Sequence, residues 1–420
     1  MSSLFGDEKR AVLVLLGLAL VLRLLLVSIL DPHKYYFSDT RHYDKAAKSL
    51  IAGEGFGEKF PRAPLYPIVM AAVYGLFGSS FLAMRLVEAV VGTLLCLVIY
   101  RLARLRFPWR IALVALVLAA VFPHFLVLVG LLYPTNIFTL LLALAVYLIL
   151  MEWRDHKKRH LVFSGVFAGL AALTVPSIFF VMPFWVLWFF LFDAKKLKRN
   201  MLRVLAFLLP FMVALSPWTI RNYQLYGRLT LVQPLPYTVL PNLENQKAQQ
   251  KEVDSGFRST VEYRQQHPLG SSKDTIFNTM IHYAAHPLGT ARHVLSESRH
   301  FWALYPDRLD SRDPAYRDKI HRADQRMFAG GDSLWLVVRT ASILTMLPVF
   351  VFALVGLAGA KPFSPYTSLL FLTIFGMSVG YSLIYAEVRY RIPVEPYVLI
   401  FAAAGLQSVF GLFKKNQVTF

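Results

Sequence analysis

The chain is a succession of apolar runs, each about as long as a bilayer is thick, separated by short bunches of arginine and lysine. Few folds accommodate that pattern. A helix crossing the hydrocarbon core needs about 20 mostly apolar residues, and the first run, at 11–30, meets that length. No small-residue cleavage site follows it, so it reads as a retained first span and not a removed leader. Only 16% of the 420 residues are charged and 56% are hydrophobic, where a soluble domain would carry about a quarter charged. The expectation is an integral membrane protein. The single cysteine, Cys96, lies inside an apolar run, which removes disulfide frameworks and cysteine-based metal clusters from consideration.

A formal charge of +19 would suit nucleic acid if it formed a recognition face, but here it is bunched between apolar runs, and no nucleic-acid partner is expected. Arg101, Arg104, Arg106 and Arg110 form one bunch; Arg154, Lys157, Lys158 and Arg159 a second; Lys195, Lys196, Lys198, Arg199 and Arg203 a third. Lys361 and the Lys414 and Lys415 pair mark two further turns. Short cytoplasmic loops carry such bunches under the positive-inside rule. Placing every bunch inside gives ten spans: 11–30, 83–103, 111–130, 134–151, 161–175, 177–192, 203–219, 333–358, 365–384 and 397–413. Both termini then face the cytoplasm. The apolar piece 64–78, bounded by prolines, is left out as a juxtamembrane helix lying at the interface.

The fold class expected is therefore all-α and polytopic, with about ten transmembrane helices, juxtamembrane helices in the first outer loop and a small, mainly helical outer segment. Residues 1–220 form an N-terminal transmembrane module whose first outer loop is 31–82. Residues 221–332 form an extracytoplasmic segment, and 333–420 a C-terminal transmembrane module. Three polar regions share the outer face: 31–82, 221–332 and the short link 385–396. Chemistry is expected there. No internal repeat of the kind that marks many secondary transporters is evident.

The stretch "FSDTRHYDKAA" at 37–47 carries that chemistry most plainly. Asp39 stands at the outer end of the first span, where cations such as Arg41 would hold its ionised form. It suits a general base toward a hydroxyl, or a ligand to a divalent cation. If residues from Thr40 onward are helical, Asp39 falls near the N-cap, Tyr43, Ala46, Ala47 and Leu50 form the inward face, and Asp44 points elsewhere. A plain helix cap is the bland alternative for Asp39.

In the link "YAEVRYRIPVEP", Arg389 and Arg391 alternate with Tyr390 just above the last two spans. Guanidinium groups there suit bidentate contact with phosphate oxygens, whereas simple interface anchors would serve as well with lysine. At 216–227, "SPWTIRNYQLYG" leaves the seventh span; the aromatic belt accounts for Trp218 and Tyr223 but not for Arg221 and Asn222.

Together these residues resemble a known family. Asp39, Tyr43, Ala47, Leu50 and Gly53, then "RAPLYP" from Arg62 to Pro67, "FG" at 77–78 and Arg85 are similar to the N-terminal signature of GT-C glycosyltransferases. More narrowly, they are similar to the branch of protein O-mannosyltransferases and the lipid A aminoarabinose transferase, and the 216–227 and 389–406 stretches resemble it too. The resemblance implies an inverting transfer of one sugar from a polyprenyl-phosphate carrier to an envelope glycan, lipid or protein acceptor on the outer side of the membrane. It places Asp39 as the catalytic base or acceptor-orienting acid, and Arg389 and Arg391 on the donor phosphate, with Arg62 and Arg221 as further phosphate contacts. Asp44, Tyr43, Tyr66 and Asn222 are then sugar or acceptor contacts. Membrane lipids are the remaining partners, and a bacterial inner (plasma) membrane is the expected location. No cofactor is certain; a divalent cation is the one candidate.

Two departures stand out. "LLYPTNIFT" has Pro134, Thr135 and Asn136 where many relatives carry an acid, and "LTVPS" has Val175 where they carry arginine. These departures imply an unusual donor, replacement by Asp44, Arg62 or Arg221, or a site that has lost catalysis. In the outer segment, His293, Glu297 and His300 share a helical face, with His286 nearby; zinc would accept such ligands, but surface histidines are the commoner reading and no metal site is expected. "PNLENQ" at 241–246 reads as an acceptor-recognition loop or a plain one, and Trp302 and Tyr305 as interface anchors or a sugar platform. Two other functions use similar residues: a transporter or flippase of an anionic lipid-linked sugar, which has no need of an acid at Asp39, and a ligase or polymerase using diphosphate-linked oligosaccharides.

Overall fold

A computed structural model describes residues 2–36, 39–56, 60–192, 196–227, 229–233, 283–305, 331–360 and 364–411, without the side chains of 2–5 and 331–338. The loop at 241–246 and the basic residues Lys195, Lys361, Lys414 and Lys415 lie outside the described residues. Among the described residues there is helix and no strand. In order these are α1 (Ser2–Ile29), α2 (Thr40–Ile51), α3 (Leu65–Phe77), α4 (Phe81–Arg104), α5 (Trp109–Val121), α6 (Pro123–Leu131), α7 (Thr135–Asp155) and α8 (Arg159–Ala172). A 3-10 turn (Pro176–Phe180) leads into α9 (Met182–Leu191) and then α10 (Leu197–Tyr226). The second half holds α11 (Pro287–Phe301), α12 (Gly331–Gly359), α13 (Pro365–Ser382), the short α14 (Val388–Arg391) and α15 (Glu395–Phe410).

Each segment expected to span contains helix among its described residues, and the chain has the helices of an integral membrane protein. By length and composition six described helices reach across a bilayer, and a seventh does if the bent pair α5–α6 is one span. The bend of 45° has a local cause: Phe122 precedes a proline and adopts extended dihedrals, which breaks the helix before Pro123 restarts it. α8, at 14 residues, is short for a full crossing.

Without a hydrophobic drive between helices in lipid, packing must come from close approach and internal polar contacts. α12 and α15 meet backbone to backbone: a Cβ on Gly356 would run into the Phe401 carbonyl oxygen, and one on Gly405 into that of Phe352. Arg203 of α10 bonds Glu152 of α7 through Nε at 3.0 and 3.1 Å. Its guanidinium lies over the rings of Trp153, Trp188 and Phe189. One of the bunched arginines thus has a structural task inside the bundle.

The first outer loop is pinned by Arg85 of α4, a fully buried arginine that donates to the carbonyls of Asp31 (2.6 Å), Lys34 (2.9 Å) and Gly130 (3.3 Å). Thr40 Oγ1 donates to the Leu131 carbonyl at 2.9 Å, fixing the start of α2 against the end of α6. The first-loop corner and the α6–α7 corner are therefore one unit.

Candidate active site

Asp39 occupies the N-cap position of α2 without accepting a capping hydrogen bond. Its carboxylate instead receives Arg62 Nη2 at 3.0 Å, and both side chains stay about 30% exposed (28% and 31%). The cation expected beside it, Arg41, lies over Tyr35 at 5.5 Å instead. A helix cap therefore does not account for Asp39. The pair is open enough for a ligand to reach.

Tyrosines wall this pair. Arg62 lies 5.5 Å from the Tyr43 ring centroid. Tyr43 packs edge-on against Tyr66 at 5.3 Å and Tyr133 at 6.2 Å. Burial pushes the Tyr43 phenol up and the Tyr66 phenol well up, so both remain proton donors. Burial also works against the Arg62 guanidinium, yet Tyr43 and Asp39 hold its pKa above the ordinary arginine value. Tyr133 is pushed well up by burial, and the opposing field of Arg389 and the field of Asp39 both reach it. The link at 385–396 is thereby brought to the first loop.

Arg389 belongs to this site. Its Nε lies 2.7 Å from Glu387, with side-chain exposures of 32% and 16%, and its Nη2 donates to the Tyr390 hydroxyl at 3.1 Å. Tyr390 stacks on Tyr381 at 4.5 Å, and Tyr385 donates to Glu387 at 2.7 Å. Glu387 and Tyr133 are not among the residues expected from the sequence. The signal for Glu387 is an acid two residues before Arg389; Tyr133 has none beyond its place in "LLYPTNIFT".

Arg391 does not stand beside Arg389. It is fully buried and donates to Glu395 (3.0 Å) and to the carbonyls of Phe301 (2.8 Å) and Ala303 (2.7 Å). Glu395 in turn meets His124 Nδ1 at 2.8 Å. The expected phosphate contact is a tie between the last span and α11. Asp44, expected to point away from the inward face, is instead buried and accepts from Tyr35 (2.8 Å), Tyr74 (2.8 Å) and Lys48 (2.8 Å). It locks α2 onto α3. Leu50, expected inward, is half-buried.

Arg221 and Asn222 also have another task. Arg221 lies over Trp218 at 4.2 Å and Phe56 at 5.6 Å. Asn222, fully buried, donates to the carbonyls of Thr230 and Val232, and Trp218 joins it on Val232. This part of the motif ties the returning chain to the end of α10. At the position of the absent family acid, Asn136 donates to the Glu88 carboxylate of α4 at 2.7 Å, so an acid from a neighbouring helix fills that corner. Glu297 accepts from the Ala386 amide at 2.7 Å, and His293 stacks on Tyr283. Among the described residues no three His, Cys, Asp or Glu side chains come together as a metal site. Asp39 in particular has an arginine, not further acids, as its neighbour. That donor set does not fit a divalent cation, and no step is derived through one.

The family model of dolichyl-phosphate-mannose-protein mannosyltransferases matches residues 61–220. No curated protein sequence matches significantly. Among solved structures, the apo oligosaccharyltransferase of Archaeoglobus fulgidus superposes with a TM-score of 0.60 at 15% identity, over 96% of this chain and 50% of that one. Apo ArnT from Cupriavidus metallidurans gives 0.56 at 13% identity, over 96% and 60%. The same protein bound to undecaprenyl phosphate gives 0.52 at 15% identity, over 94% and 60%. The chain has the GT-C membrane glycosyltransferase fold. It spans about half the length of the archaeal relative.

Proposed function

We propose that this chain is a glycosyltransferase that moves a single sugar, with inversion, from a polyprenyl-phosphate carrier to an acceptor on the outer side of a bacterial inner membrane. The observation that carries the reading is the pairing of Asp39 with Arg62 in a part-open, tyrosine-walled site within the field of Arg389. In the resting state each arginine holds a carboxylate, Arg62 on Asp39 and Arg389 on Glu387. A donor phosphate competes for both guanidinium groups, and Asp39 is released as it binds. Asp39 then accepts the proton of the acceptor hydroxyl while that oxygen bonds to the anomeric carbon. The bond from that carbon to the phosphate oxygen breaks, and the charge left on the carrier phosphate is met by Arg62 and Arg389. Tyr43 and Tyr66 keep their protons and form the buried wall behind the pair. Arg391, Asp44, Arg221 and Asn222 act by positioning.

The structure bound to undecaprenyl phosphate supports a lipid-phosphate donor. The oligosaccharyltransferase neighbour leaves a larger lipid-linked glycan as the alternative donor, and donor mass separates the two. The test is mass spectrometry of polyprenyl-phosphate lipids from cells lacking the gene, complemented with wild type or Asp39→Asn. One sugar-lipid should accumulate in the deletion and be cleared by wild type, with turnover down about 10²–10⁴-fold in the variant. Full clearance by Asp39→Asn would overturn the reading in favour of a transporter.

A further inference from the structure

α2 and α3 carry two exposed rows of opposite character. On α2 the exposed positions include Arg41, His42, Lys45 and Lys48, while its one acid, Asp44, is buried. Lys48 is paired with Asp44 at 2.8 Å and Arg41 lies over Tyr35, but among the described residues neither Arg41 nor Lys45 meets a carboxylate. α3 contains no charged residue, and its exposed row is Ile68, Ala72 and Leu76, with Leu76 78% exposed; Phe77, 67% exposed, ends the helix. These spacings of three and four put each row on one helix face.

An apolar row of this size beside a row of cations fits one kind of surface, a bilayer rich in anionic lipid: acyl chains cover the leucine and phenylalanine, and phosphates meet the arginine and lysines. On the topology read from the sequence these cations also stand where the positive-inside rule disfavours them. Headgroup contact would offset that cost. We propose that the α2–α3 surface binds anionic phospholipid headgroups of the surrounding leaflet, holding the helix that begins beside Asp39 at the membrane surface. This does not depend on the transfer reading.

The test is native mass spectrometry of the detergent-purified full chain titrated with phosphatidylglycerol or phosphatidylcholine. The variant is Arg41→Gln with Lys45→Gln; Lys48 is kept because it partners Asp44. Wild type should retain phosphatidylglycerol preferentially, and the variant should bind it about thirtyfold more weakly at low salt, from two cations near an anionic surface. Lys157→Gln with Lys158→Gln, in the α7–α8 turn, should leave it unchanged. Equal binding by wild type and the α2 variant would overturn the proposal. So would normal phosphatidylglycerol binding accompanied by lost saturation with a phosphate-bearing acceptor, which would assign the row to the acceptor.

Discussion

Replacing Arg391 and Arg389 by methionine, one at a time, should separate two residues that the sequence presents as a pair. The Arg391 guanidinium is buried with three oxygen partners, at 3.0 Å on Glu395 and 2.8 and 2.7 Å on the Phe301 and Ala303 carbonyls. Methionine fills much of the volume but leaves the Glu395 carboxylate, 1% exposed, facing His124 without its guanidinium partner. Breaking such a buried pair costs about 3–5 kcal/mol, chiefly because the surviving charge stays desolvated. Arg389 and Glu387 are part-exposed, and a pair in contact with water contributes only about 0–1 kcal/mol.

The assays are a thermal melt in detergent, limited proteolysis around α11, and binding of a polyprenyl phosphate. Arg391→Met should melt well below wild type and expose α11 to cleavage, since its two carbonyl contacts hold the end of that helix. Arg389→Met should melt close to wild type and lose affinity for the phosphate. An Arg391→Met protein that melts normally yet fails to bind phosphate would refute the separation, and so would a collapse of Arg389→Met.

Gly356→Ala and Gly405→Ala should each destabilise the bundle by about 1–3 kcal/mol, because the new methyl meets a backbone carbonyl on the facing helix and α12 and α15 must part; detergent melts at or near wild type would refute this contact. Tyr35 is pushed up to about 12, by burial first and then by Asp44. A phenol raised in the folded state stabilises it fully below the unfolded value of about 10 and loses that contribution as pH rises toward 12. Tyr35→Phe should therefore remove part of the decline in stability between those values, which a pH series of melts would read; an unchanged alkaline limb would count against the Tyr35–Asp44 bond.

How much of this was legible depended on whether the deciding contact was local. The bilayer period fixed the helical segments, and Tyr43, Ala46 and Ala47 were correctly placed on the buried face of α2. Asp44 was misplaced because two of its three partners, Tyr35 and Tyr74, come from outside the helix, and nothing in 40–51 announces them. Arg62 was named as a phosphate contact, but its bond to Asp39 spans 23 residues and is set by the turn before α3. Asn222 looked like a ligand-binding residue because it sat in a motif; its partners are backbone carbonyls that appear only once the chain folds back at 229–233.

The arginine pair shows why a short link is the hardest part to read. "RYR" alternates like a strand, and in an extended chain residues two apart point to the same side. Residues 388–391 are instead one turn of helix, where a separation of two positions is a rotation of about 200°. Arg389 and Arg391 must then face nearly opposite ways, one toward the first loop and one into the bundle. The partners agree: Arg389 meets Glu387 two residues earlier, while Arg391 meets Glu395 four residues later, along the same side of the continuing helix. A motif that reads as two equivalent cations thus divides into a part-exposed arginine paired with Glu387 and a buried one that ties the last span to the end of α11.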